Sequence, residues 1–183
     1  MGKGIVDKLS QEYPLNITWV GYELRPERPA EGEDLAKLFP DFDPVAANER
    51  FNKLGAEYGI VFRPVSFLPN TKLALKATEY AKEQGLFEEF HAAVFHAYFS
   101  EGLNIGSREV ILGIAASLGM DKAQMAAALE DARWEKQLED NRKSGQKWQV
   151  TGLPTFILQD EKRIVGAQTY ATFKKAIEQY LAP

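Results

Sequence analysis

A proline set directly against the start of a β-type run constrains this chain more than any other feature. Residues 150–158 read Val-Thr-Gly-Leu-Pro-Thr-Phe-Ile-Leu. Proline cannot donate to a sheet ladder, so Pro154 belongs at the opening of a strand, and a cis peptide there would turn the chain sharply and aim neighbouring backbone groups outward. The carboxyl-terminal residues narrow the choice further. Thr155 to Leu158 reads as a strand, Gln159-Asp160-Glu161-Lys162 as a polar turn and Arg163-Ile164-Val165 as a returning strand, together a β-hairpin. Thr169 is placed to cap a terminal amphipathic helix with Phe173, Ile177 and Tyr180 inward.

The rest of the chain is read as helix, strand and helical block. Ile5, Val6 and Leu9 recur at helical spacing up to about Tyr13, and Pro14 ends that helix. Alternation over Asn16 to Leu24 predicts a strand with both faces at least partly covered. Arg25-Pro26-Glu27-Arg28-Pro29 is an extended loop, because each proline disfavours a helical residue before it. Asp43-Pro44 opens a helix whose stripe of Ala47, Phe51, Leu54 and Tyr58 closes at Gly59. Ile60 to Phe67, interrupted by Pro64, is a connector or edge segment. Further helices are expected at about 71–84, 86–99, 107–118, 121–131 and 134–145, with Asp121 and Gln124 near capping-box spacing.

Composition matters mainly through what it removes. The chain has no cysteine, which excludes disulfides, thiolate metal ligands and every thiol mechanism carried by these 183 residues. Its net charge of −4 comes from interspersed acids and bases with no basic stripe, so nucleic acid is not an expected partner. No apolar run approaches the roughly 20 residues of a membrane span, and the amino terminus has no secretory signal, so no membrane partner is expected and the cytoplasm is the expected location.

In this order, the segments resemble the DsbA family, close to its FrnE-like branch. The Val-x-Gly-Leu-Pro-Thr-Phe run looks like that family's cis-proline loop, and Gly166-Ala167-Gln168 looks like the stretch between its last strand and last helix. Tyr22-Glu23-Leu24-Arg25-Pro26 resembles the segment after its second strand. Asn70-Thr71-Lys72-Leu73-Ala74 and Glu89-Phe90-His91 through Tyr98-Phe99 resemble signatures of its inserted helical domain. The resemblance implies an α/β thioredoxin-like fold with an α-helical insertion, a single discontinuous domain (about 1–65 and 146–183) carrying the insertion at about 66–145. It also implies a protein or small-molecule disulfide or thiol as substrate. The expected binding residues are Gly152, Leu153, Pro154 and Thr155, with Asn70 and Gln168 on the groove wall. The residue before the proline, Leu153, would offer its backbone to an extended substrate beside a docking cleft.

The departure is at the front. Relatives carry a strand and a Cys-Pro-x-Cys-Tyr-x-Gly-Lys motif, with the cysteines at a helix amino terminus where partial positive charge lowers a thiol's pKa. Met1-Gly2-Lys3-Gly4 matches only the tail of that motif. The expectation is that roughly twenty further residues, a strand plus the motif, precede Met1 in the natural protein. The second reading is that the short form exchanges elements with a partner chain as a homodimer.

As given, the chain is expected to bind but not to exchange disulfides, with no catalytic residue, metal or cofactor of its own. One rival is a glutathione-using isomerase or transferase, of the 2-hydroxychromene-2-carboxylate isomerase or kappa type, which shares the architecture. Another is a non-catalytic module that binds a peptide or partner chain. His91 and His96 are five residues apart on one predicted helix and so fall on different faces, unlike a metal pair. Adjacent acids in Glu88-Glu89 and Glu139-Asp140 diverge by about 100° and read as solvated faces. Trp134 and Trp148 read as core or groove-lining aromatics.

Overall fold

The computed structural model describes residues 1–181. Its elements run α1 (Gly2–Glu12), β1 (Glu33–Asp34), α2 (Leu35–Leu38), α3 (Pro44–Gly55), β2 (Phe67–Leu68), α4 (Lys72–Glu83), α5 (Phe87–Phe95), α6 (Arg108–Ser117), α7 (Lys122–Glu130), α8 (Ala132–Lys147), β3 (Thr155–Leu158), β4 (Lys162–Val165) and α9 (Tyr170–Leu181). A short 3-10 turn succeeds α3 at Ala56–Tyr58, and a π-helical turn extends α5 over His96–Ser100.

Local capping chemistry explains where most helices begin. Asp43 accepts hydrogen bonds from the Val45 and Ala46 backbone N–H groups ahead of Pro44. Ser107 and Asp121 accept from Val110 and Gln124 at α6 and α7. The Thr169 hydroxyl accepts from the Thr172 N–H at α9. Each side chain satisfies an amide that would otherwise lack a partner at a helix start, a contribution of roughly 1 kcal/mol apiece. The hairpin β3–β4 is just as local. Gln159 and Asp160 both lie in the left-handed region, as a type I′ connection requires, and register pairs Phe156 with Ile164 and Thr155 with Val165.

Two apolar cores result. The larger lies within the helical block, where Phe90, Ile111, Met125 and Leu129 are fully buried and Trp134 packs at the edge. The second joins the two ends of the chain: Ile5 and Leu9 of α1 pack with Ile164 of β4 and with Phe173, Ala176 and Ile177 of α9. Phe156 stands edge-on to Phe173 with ring centroids 4.6 Å apart. Polar contacts close the same seam, since Tyr13 Oη donates to Glu178 and Lys174 Nζ meets Glu12.

The expected strand over Asn16 to Leu24 is corrected. The segment is not part of any sheet, and among the described residues it makes no backbone-to-backbone hydrogen bond. A strand is stable only with a ladder partner, and among the described residues β3 pairs with β4 alone while β1 pairs with β2 alone. Its faces are also more open than expected, because Ile17 and Val20 face solvent. The helical block holds the segment instead. Lys82 Nζ donates to the Trp19 carbonyl and Asn141 Nδ2 to the Gly21 carbonyl. The apolar stripe of α3 is not a core face throughout: Phe51 and Leu54 are exposed. The inner face of α3 is instead set by Asn52, which exchanges two 2.8 Å hydrogen bonds with the Phe62 backbone.

Glu23 is the buried acid of this docking, 5% exposed, with the Arg142 guanidinium 3.9 Å away. Burial raises its pKa above the ordinary carboxylate value, Lys72 and Arg142 pull it back, and Glu135 adds to the rise. A raised carboxyl pKa means that the folded state holds the proton more tightly than the unfolded state. Ionised Glu23 therefore costs stability at neutral pH, and the cost is relieved as pH falls toward the unfolded value. Glu23→Gln is expected to raise Tm by about 2–4 °C at pH 7.5, with the gain shrinking toward pH 4.5, as read by thermal melts at both pH values. A lower Tm at pH 7.5 would show that the Arg142 contact outweighs the burial cost.

Candidate functional site

The site is built where the carboxyl-terminal hairpin meets the first turn of α1. Helix α8 ends at Lys147, and Gln149, in the left-handed region at φ 51°, swings the chain toward the loop. Arg163 of β4 anchors that exit by donating to the Trp148 and Gln149 carbonyls, both at 2.6 Å. The loop then passes Gly152 and Leu153 and enters β3 through a cis Leu153–Pro154 peptide bond.

Hydrogen bonds fix the loop from within. Thr155 Oγ1 donates to the Gly152 carbonyl at 2.6 Å, and the Gly166 N–H donates to the Pro154 carbonyl at 2.7 Å. Gly166 lies in the left-handed region at φ 82°, which lets the chain double back. Gln168 folds onto the same turn, its amide donating to the Val165 carbonyl at 2.8 Å. The Leu153 N–H and carbonyl make no hydrogen bond among the described residues, and its side chain is half exposed.

Pro154 rests on α1. A Cβ added to Gly2 would lie 2.7 Å from Pro154 Cγ and 3.4 Å from the Phe156 ring, so only glycine allows this approach. Hydrophobic spacing in α1 had no way to reveal it. No side chain caps the first turn of α1, which leaves its N–H groups and partial positive charge at the loop.

Beyond Lys3 stands a wall from α5. Lys3 Nζ is 2.8 Å from Asp7 and 3.3 Å from Glu88. His91, one turn along α5 from Glu88, stacks on Phe87 at 5.2 Å and touches Phe95 and Trp19 at 4.2 and 5.5 Å between ring centroids. Burial, reinforced by the positive charge of Lys3, holds its pKa below the ordinary imidazole value, so it is neutral at physiological pH. The sequence offered helical spacing for Phe87, His91 and Phe95 but no sign of Trp19 joining them. His96 points away toward Glu101. Among the described residues no group of three or more potential ligands is placed to hold a metal, and no helix is long and apolar enough to cross a membrane.

Of the six residues predicted for binding, Gly152, Leu153, Pro154, Thr155 and Gln168 come together on this turn. Asn70 is engaged elsewhere. Its amide donates to the Arg28 carbonyl at 2.7 Å and its Oδ1 accepts from the Lys72 N–H at 2.9 Å, so it ties the 25–33 loop to the start of α4.

Comparison with known proteins gives a consistent picture. The pattern of the DSBA-like thioredoxin domain matches residues 1–178. The chain is 30% identical over 185 residues to the uncharacterized protein YwbO of Bacillus subtilis (strain 168), covering 97% of this chain and 88% of that protein. Among solved structures it is similar to a probable DsbA oxidoreductase from Streptomyces coelicolor, with a TM-score of 0.88 and 20% identity over 97% of this chain and 82% of that one. It is also similar to a 2-hydroxychromene-2-carboxylate isomerase, with a TM-score of 0.72 and 16% identity over 98% of this chain and 88% of that one.

The contact between α1 and the loop is directly testable. Gly2→Val forces atoms into Pro154 and is expected to cost about 1–3 kcal/mol of stability in chemical denaturation and to shift the loop's amide resonances. Gly113→Ala, where an added methyl meets nothing within 4 Å, is the control and is expected to be neutral or slightly stabilising. A Gly2→Val protein as stable as the parent would remove Pro154 from the α1 interface.

Proposed function

The chain belongs to the DSBA-like thioredoxin domain family, and on that premise we propose that it binds extended polypeptide segments bearing a thiol or disulfide at the 152–155 loop, without itself exchanging disulfides. The observation that carries this reading is the unengaged Leu153 backbone. Its N–H and carbonyl make no hydrogen bond among the described residues, while the Gly152 carbonyl, the Pro154 carbonyl and the Thr155 hydroxyl beside it are tied within the turn. An extended segment laid along Leu153 gains strand-like hydrogen bonds there, and each contributes about 0.5–1.5 kcal/mol net.

The second half of the reading comes from elementary exchange chemistry. A thiolate must attack one sulfur of a disulfide and release the other as a thiolate. No residue of this chain supplies that nucleophile. Gly2, at the α1 amino terminus, stands where the positive end of the helix favours a thiolate brought by another molecule or by residues outside this sequence, the Lys3 ammonium being already paired with Asp7 and Glu88. The role assigned to α1 is therefore electrostatic. Leu153 aligns the substrate, and the first turn of α1 stabilises negative charge beside it.

Three measurements test the proposal. Titrating the labelled chain with an extended peptide that carries a mixed disulfide is expected to shift the Thr151 and Leu153 amides in NMR spectra and to slow Leu153 amide exchange at least about tenfold. Shifts confined to other parts of the molecule would defeat the binding assignment. In dithiothreitol-driven insulin reduction, the chain is expected to give the rate of dithiothreitol alone, and any clear acceleration would refute the absence of exchange. Isothermal titration with glutathione separates the isomerase-like alternative: micromolar affinity there, with no peptide-induced shift at Leu153, would replace this reading.

A further inference from the structure

Extended backbone that lacks a ladder partner must place its polar groups elsewhere, and in most such stretches of this chain side chains take them up. In the 16–24 segment the Trp19 and Gly21 carbonyls accept from Lys82 and Asn141. Beside β4 the Val165 carbonyl accepts from the Gln168 amide at 2.8 Å. β1 and β2 are only two residues long each. The edge of β3 turned away from β4 has no such cover among the described residues.

Register decides which groups lie on that edge. The Gly166 N–H donates to the Pro154 carbonyl at 2.7 Å, so Pro154 and Gly166 form a hydrogen-bonded pair of the hairpin. Such pairs alternate with non-bonded ones along an antiparallel ladder. Phe156, opposite Ile164, and Leu158, opposite Lys162, therefore direct their backbone groups toward β4, whereas Thr155, opposite Val165, and Ile157, opposite Arg163, direct theirs away. Neither Thr155 nor Ile157 has a backbone hydrogen bond to anything beyond the hairpin among the described residues. Leu153, just ahead of them, has its own N–H and carbonyl unengaged. Side chains follow the same alternation: Phe156 and Leu158 pack on the core shared by α1 and α9, while Leu153 and Ile157 are exposed. Open edges in natural sheets are usually blunted by lysine, proline or a bulge, and Thr155-Phe156-Ile157-Leu158 contains no charge and no proline.

The geometry points to a binding edge that runs from Leu153 to Ile157, whose ligand is a polypeptide segment of at least about five residues added to β3 as a further strand. This inference rests on the reading of Leu153 given above and deepens it, because it assigns the ligand a length, a backbone register and a side-chain preference. Donors and acceptors repeated at every second residue are matched by another extended main chain and not by a compact small molecule. Contact with Leu153 and Ile157 on one face favours apolar or β-branched side chains on that face of the added strand. A proline at a ligand position that faces Thr155 or Ile157 removes a donor and is disfavoured.

Amide exchange followed residue by residue on the full chain is the test, with a peptide of about seven residues, rich in valine and threonine, that carries a mixed disulfide. In the free chain Thr155 and Ile157 are expected to exchange at least about tenfold faster than Phe156, whose N–H lies on the β4 side. At saturating peptide both are expected to slow at least about tenfold, together with Leu153. Peptides with a single N-methylated amide are expected to show a period of two, losing affinity at least about tenfold at alternate positions and less than about twofold between them. Protection of Leu153 alone overturns this inference and leaves the reading of the 152–155 loop standing, whereas protection of none of the three defeats both. N-methylation that is tolerated everywhere, or harmful everywhere, overturns the strand pairing. Thr155 and Ile157 amides as slow as Phe156 in the free chain overturn it too, and a sedimentation mass near twice 20.5 kDa would then identify a second copy on the edge.

Discussion

The approach of Pro154 to Gly2 is the constraint on which the arrangement of this molecule rests. It joins two pieces of chain that lie far apart in sequence, one at the start of α1 and the other at the entry to β3, and it does so without a polar bond. Ile5 and Leu9 extend the same contact along α1 onto Ile164, Phe173 and Ile177, so hairpin and terminal helices share one small core. Burying such side chains is worth roughly 1.5–3 kcal/mol each. That must cover the entropy of closing a very long loop, which grows only logarithmically with length and is therefore within reach of a core of this size. The helical block, with its own larger core, does not depend on this closure and gives the ends something rigid to close against.

The sheet is where the molecule is least complete. Among the described residues β3 has β4 on one side and no partner on the other, and the 16–24 segment makes no backbone-to-backbone hydrogen bond. Ile17, Val20 and Ile157 face solvent beside those bare backbones. Unpaired edges of this kind invite pairing with another strand. The segment's side chains nevertheless settle onto the helices: Trp19 against His91, Tyr22 against the α8 backbone at Gly145, and Glu23 beneath Arg142. Helical docking has taken the place of ladder pairing, and the ionised Glu23 that it buries is the least favourable part of that exchange.

How much of this was legible in the sequence depends on the range of the interactions concerned. Asp43, Ser107, Asp121 and Thr169 announce helix starts because each bonds to an amide two or three residues away. The hairpin is readable because Gln159 and Asp160 carry the turn within it. The five loop residues of the site converge for the same local reason: register in the hairpin sets Thr155 against Val165, and Gly166 and Gln168 come next along the chain. The fate of residues 16–24 could not be read, since alternation reports a preference for extended backbone and says nothing of whether a neighbour exists. Gly2 and Trp19 were equally silent, because their partners Pro154 and His91 are brought to them by closure of the whole chain. Asn70 was read by likeness of its surroundings to a known segment, while its actual hydrogen bonds to Arg28 and Lys72 fix a loop start.

The absence of a thiol and the persistence of the loop are physically separate matters. The loop's shape comes from the Thr155 hydroxyl, the Gly166 amide, the Arg163 guanidinium and the packing of Pro154 on Gly2, and none of these contacts involves a thiol. On the proposed reading, chemistry and recognition therefore rest on different residues: a nucleophile can be absent from these residues, or supplied from elsewhere, without strain being transmitted to the backbone that would receive an extended chain. The converse does not hold. A thiol placed at the amino terminus of α1 without Leu153 presented beside it would have a lowered pKa but nothing to hold its substrate in line. On the proposed reading, recognition is the function whose parts the described residues contain.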